Sequence, residues 1–274
     1  MTALVNLVVI GGMVVVVPIG LRLLDCPSWI LWYWRAAATP AAVALWLPRG
    51  AAATVLAVPY ALGALVLAGH APARLRGRAT ARELAVVTAL VAPVVAGVAL
   101  VAERAGYRLF GFRLDTLALT VAHFHYAGFT AALVAALVCT ATGDKVVARL
   151  AALCVPLGIF LVFLGFFAGD ATQLAGAAVL TAGMWLVAWL TWRDVRSATR
   201  DVPARLLLAV SAAVPVGTML LALDWALGEA TGAPHLSLAW MAATHGLANA
   251  LGFALCAALA WQRLRLRDGA ALAW

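Results

Sequence analysis

Residues 150–192 read LAALCVPLGIFLVFLGFFAGDATQLAGAAVLTAGMWLVAWLTW, and Asp170 is the only charged residue among them. The stretch falls into two uncharged apolar runs, 150–169 and 171–192. A helix rising about 1.5 Å per residue needs roughly 20 apolar residues to cross a hydrocarbon core of about 30 Å. Both runs have that length, and almost no chain remains for a loop between them. The reading is two membrane-spanning helices in a tight apolar hairpin, with Asp170 at its bend.

The same pattern repeats outward. Further uncharged apolar blocks occupy 50–73, 84–102, 116–143, 206–223 and 230–262. The whole chain of 274 residues is 66% hydrophobic and 11% charged, with a mean hydropathy of +1.02. Soluble domains carry about 25% charged residues, so a soluble fold is excluded. The pattern predicts an all-α polytopic transmembrane bundle, a single integral membrane domain over 1–274. Nine spans are expected, at 3–24, 28–48, 51–70, 83–102, 114–139, 149–168, 171–192, 204–225 and 237–261. Arg35 interrupts the second, whose first turns carry Trp29, Trp32, Tyr33 and Trp34 as an interfacial anchor. No basic residue precedes the first span, so it is expected to be retained rather than cleaved as a signal peptide.

The net charge of +8 does not point to nucleic acid, because the basic residues sit at the ends of apolar blocks and not on one amphipathic face. They read as topology determinants. Loops after the odd-numbered spans hold thirteen Lys or Arg, in 74–82, 145–149, 193–205 and 263–267. The opposite side has four: Arg49, Arg104, Arg108 and Arg113. The positive-inside rule then puts the N-terminus outside and the C-terminus in the cytoplasm. Cys26, Cys139, Cys154 and Cys256 have no CxxC or ligand-like spacing, so no zinc site is read from them.

The segment TVAHFHYAGF (120–129) places His123 and His125 in the middle of the fifth span, where imidazoles are costly without partners. Two residues apart on a helix, they point about 200° from each other. A third histidine, His245, lies in THGLANALGF of the ninth span, at a depth matching His123, with Asn249 one turn below it. These positions predict one shared polar pocket in the outer half of the bundle. The bland alternative is that each imidazole makes an interhelical hydrogen bond.

Acidic residues divide by side. Asp25, Glu83, Asp144, Asp194, Asp201 and Asp268 fall in or beside cytoplasmic segments and read as solvated. Glu103, Asp115, Asp170, Asp224 and Glu229 lie toward the outer side. Asp170 and Asp224, in apolar settings, are candidate acids whose protons desolvation would hold; the alternative is a helix cap. Glu103, Phe124, Tyr126, Phe129 and Asn249 are the candidate substrate-binding residues, with the aromatic rings able to line the pocket and stabilise a cation.

HFHYAGF, HGLANALGF and the N-terminal VPIGLRLL resemble the YndJ-like family of bacterial multi-spanning membrane proteins. The resemblance runs through most of the chain and marks His123, His125, Tyr126, Gly128, His245, Asn249 and Gly252. It implies a multi-pass protein of the bacterial inner membrane. HFHY is also similar to the haem-ligating segment of haem–copper oxidase subunit I, where histidines two apart face two haems.

Three functions are compatible with these residues. The first is an intramembrane isomerase or cyclase without cofactor, acting by His and Asp acid–base chemistry on an isoprenoid-, epoxide- or lipid-like substrate. The second is a haem or transition-metal protein using His123, His125 and His245. The third is a small-molecule transporter, although no pair of Gly/Pro-broken helices stands in matching halves. The expected partners are membrane lipids and a lipophilic small molecule, with no nucleic acid.

Overall fold

The computed structural model describes residues 2–76, 79–143 and 145–268. Arg78 and Asp144 lie outside the described residues, as do the side chains of Arg267 and Asp268. Nine long helices follow one another among the described residues: α1 (Ala3–Leu23), α2 (Ser28–Ala44), α3 (Ala51–Arg74), α4 (Ala81–Arg104), α5 (Leu114–Ala141), α6 (Val146–Ala168), α7 (Asp170–Ala198), α8 (Val202–Thr231) and α9 (Leu238–Leu266). No strand occurs among the described residues. All except α2 are long and apolar enough to cross a membrane. The 17 residues of α2 span about 25 Å, so the segment that Arg35 interrupts is also the shortest helix. The chain is a multi-pass membrane protein.

The helices continue through Pro40, Pro59, Pro93, Pro156 and Pro215. Five segments wind as π-helix instead of α: Gly11–Val16 in α1, Phe124–Thr130 in α5, Thr191–Val195 in α7, and Ala242–Gly246 and Asn249–Leu255 in α9. Such turns shift the hydrogen-bond register and recur at functional sites. Both histidine motifs fall on them.

The chain divides into two compact units, one of residues 1–77 and 87–130, the other of 78–86 and 131–274. In the second unit, α6 and α7 form the predicted hairpin. Gly169 alone separates them, at φ +106°, a conformation that a side chain disfavours. The two helices then approach closely. A Cβ on Gly158 would lie 2.5 Å from the Leu180 backbone nitrogen, and one on Gly176 would lie 2.4 Å from that of Val162. Small residues allow this contact, which dispersion rather than water-driven burial must reward inside a bilayer.

In the first unit, the end of α2 is tied to the end of α4. Arg104 Nη1 donates to the carbonyls of Ala44, Leu45 and Leu47 at 3.2–3.4 Å, and Asn6 donates to Leu45 at 2.8 Å. These donors satisfy carbonyls that a helix C-terminus leaves open. Glu103, 1% exposed, pairs with Arg104 and, at 2.8 Å, with Arg49. A carboxylate read as substrate-binding is thus placed in a buried ion-pair cluster.

Candidate functional site

His125 is fully buried in the first unit, on the π-helical turn of α5. Its Nδ1 lies 2.6 Å from the carbonyl of Val121. A carbonyl only accepts, so Nδ1 carries the proton and Nε2 of the neutral ring is an acceptor. The hydroxyl of Tyr60, from α3, closes on Nε2 and donates to it. Tyr60 in turn meets the ring of Trp34 edge-on, with centroids 5.0 Å apart, and Trp34 Nε1 donates to the Met13 carbonyl at 2.8 Å. Four helices of the first unit therefore converge on this imidazole. Gly12 makes room for it, since a Cβ there would lie 2.7 Å from His125 Cβ.

The neighbouring motif residues join the same core. Tyr126 donates its hydroxyl to the Val8 carbonyl at 2.6 Å, and Phe124 and Phe129 are buried. His123 is exposed, with its ring against Phe124 at 5.9 Å. The opposite burial of His123 and His125 is the separation expected from their spacing.

His245 belongs to the second unit, also on a π-helical turn, in α9. Its Nδ1 lies 2.7 Å from the carbonyl of Thr218 in α8, which again fixes the proton on Nδ1 when the ring is neutral. Asn249 buttresses the arrangement. Its Nδ2 donates to the His245 carbonyl at 2.9 Å, and its Oδ1 accepts from the Thr218 hydroxyl at 3.0 Å. Gly252 lets the helices meet, because a Cβ there would lie 2.7 Å from Val214. Among the described residues, no hydrogen bond occupies His245 Nε2. Beside this contact, α8 and α9 form a wide-open groove of about 650 Å³, lined mainly by small and aliphatic residues such as Ala213, Gly217, Leu221 and Leu247, with Thr218 in its wall.

The two imidazoles belong to different units, and each is held by partners of its own unit. Asp170 opens α7 at its first helical position, exposed and without a side-chain cap, because Gly169 is the N-cap. Asp224 is exposed and lies inside α8, seven residues before its end, so neither carboxyl is the helix cap weighed above. Trp225 faces His235, which pairs with Glu229 at 3.1 Å. Sequence reading missed Tyr60 and Thr218, the partners that give the two histidines their roles. Tyr60 left a signal: a phenol in mid-span must find an acceptor. Thr218 left none, because it is the backbone carbonyl that binds.

Residues around His125 do not fit a haem. Both of its ring nitrogens are engaged, and its Cβ is packed against Gly12. No group of three His, Cys, Asp or Glu that could hold a metal ion occurs among the described residues. Among known proteins, a family model described as YndJ-like protein matches residues 7–253. No curated protein and no solved structure matches the chain.

Proposed function

The chain belongs to the YndJ-like family, and from that premise we propose that it is an intramembrane enzyme that moves a proton on a lipophilic substrate, with His245 as the group that takes and returns it. The observation that carries this reading is the contrast between the two motif histidines. His125 has both nitrogens committed and serves packing. His245 has Nδ1 clamped by the Thr218 carbonyl while Nε2 keeps an unclaimed lone pair. A second hydrogen bond that fixes the tautomer is how a protein prepares an imidazole for proton transfer.

The groove between α8 and α9 supports a lipophilic substrate. Its lining is apolar, and Thr218 belongs both to its wall and to the clamp on His245. In an isomerisation, Nε2 accepts a proton from one substrate atom and the imidazolium delivers it to another. Atoms and electrons balance without a co-reactant. In a cyclisation, Asp170 or Asp224 is the further acid that this reading requires. This reading takes the protein to sit in a bacterial inner membrane, with its N-terminus outside as the positive-inside rule predicts from the loop charges.

The test compares total lipid extracts of cells expressing the wild type and His245→Ala, by chromatography and mass spectrometry. Wild type should convert one lipophilic species to an isomer of equal mass. His245→Ala should abolish the conversion while leaving folded yield nearly intact, because the helices are held mainly by apolar packing. Equal conversion by both would remove His245 from the chemistry. A Soret band, bound metal or solute flux through vesicles of purified protein, without conversion, would replace this reading with the haem, metal or transport one.

A further inference from the structure

The last turns of α7 combine aromatic and cationic groups in an order the proposed chemistry does not use. Trp185, Trp189 and Trp192 are 38%, 42% and 48% exposed and recur at four- and three-residue spacing, along one stripe. The stripe spans about 10 Å along the helix. At its end, the guanidinium of Arg193 lies 4.0 Å from the Trp189 ring centroid, and that of Arg196 lies 4.1 Å from the Trp192 centroid. Both distances are those of cation–π contacts.

The charges of this region are unequally matched. Asp194 accepts two bonds from Arg193, at 2.7 and 3.0 Å, and lies 3.6 Å from Lys145. Asp201 is taken by Arg263 at 2.9 Å. Arg196, Arg200 and Arg205 pair with no carboxylate among the described residues. Arg196 goes further, because its Nε is buried without a hydrogen-bond partner. A buried guanidinium donor left open lacks an acceptor, and the planar fork suits a phosphate.

We propose that this end of α7 binds an anionic phospholipid. Arg196, held over Trp192, grips the headgroup phosphate, Arg200 and Arg205 supply the surrounding positive field, and an acyl chain lies along Trp185 and Trp189. Aromatic side chains at a membrane interface beside unpaired basic ones match an amphiphile of this charge. A soluble anion would leave the tryptophan stripe unused.

The test uses the full chain in detergent, with phosphatidylglycerol and phosphatidylcholine of identical acyl chains, and native mass spectrometry to count retained lipid. The wild type should retain phosphatidylglycerol several-fold better, and Arg196→Gln should lower it to the phosphatidylcholine level. Arg108→Gln removes an exposed charge from the first unit and should leave the preference intact. Should Arg196→Gln fail to fold, Arg196→Lys keeps the charge without the fork and should lose most of the preference. The proposal is overturned if the wild type shows no preference or if the folded Arg196 variant keeps it. It is equally overturned if glycerol 3-phosphate alone raises the thermal midpoint as much as phosphatidylglycerol does, since the site would then be one for a free phosphate.

Discussion

At the scale of single residues, Tyr60 and His125 form a closed donor–acceptor pair, and each exists for the other. Tyr60→Phe keeps the ring that meets Trp34 but leaves Nε2 of a fully buried imidazole without a donor. Such an orphaned group costs about 1–3 kcal/mol, to be read as a lowered thermal midpoint in detergent. Tyr107→Phe, at a site 63% exposed, should change nothing, and equal midpoints for the two variants would refute the role of the pair. Cys26, in the connection between α1 and α2, makes a second residue-scale case. Burial, aided by the charge of Asp25 and opposed by Arg74, pushes its thiol from 9.0 up to about 11. Because the folded value is raised, the folded state favours the protonated thiol. That contribution to stability is complete below about pH 9 and is lost as pH rises toward 11. Iodoacetamide labelling of Cys26 in a variant lacking the other cysteines should therefore rise with a midpoint near the higher value when folded. A midpoint near 9 in the folded protein would contradict this assignment.

At the scale of elements, glycines set how closely α6 and α7 approach. Gly176→Ala would drive a methyl to 2.4 Å from the Val162 backbone, and a helix backbone cannot step aside as a side-chain tip can. The hairpin must open, at a cost of about 1–3 kcal/mol typical of overpacking. Gly217→Ala in α8 meets no atom within 4 Å and should be neutral or stabilising, given that Ala is the better helix former by about 1 kcal/mol. Thermal unfolding of the two variants checks the contrast; similar losses would mean that propensity, not contact, decides. The ion cluster of Glu103, Arg104 and Arg49 shows the same element-level logic. Its arginine takes carbonyls at the end of the short helix α2, so the charges serve a helix terminus.

At the scale of the whole molecule, the thirteen-to-four loop charge count predicts an N-terminus outside when all nine helices cross. A cysteine introduced into 71–82 should resist impermeant thiol reagents in intact cells, while one in 104–112 should react. The reverse pattern would invert the predicted topology. Much of this architecture was legible in the chain. The hairpin at Asp170 and the positions of the seven helices from α3 to α9 follow from uncharged run length, and Arg35 marks the weakness of the second, because a single segment crosses a bilayer core only with its backbone hydrogen bonds made internally, as in a helix. The opposed directions of His123 and His125 follow from helical period. Which imidazole is sealed and which stays open does not. That depends on Tyr60, distant in sequence, reaching one nitrogen of His125, and on the Thr218 carbonyl, present whatever side chain stands there, reaching one nitrogen of His245. Run length and period are local properties and can be read along the chain, whereas the partner of a buried polar group is chosen by how helices cross, which only the tertiary structure decides.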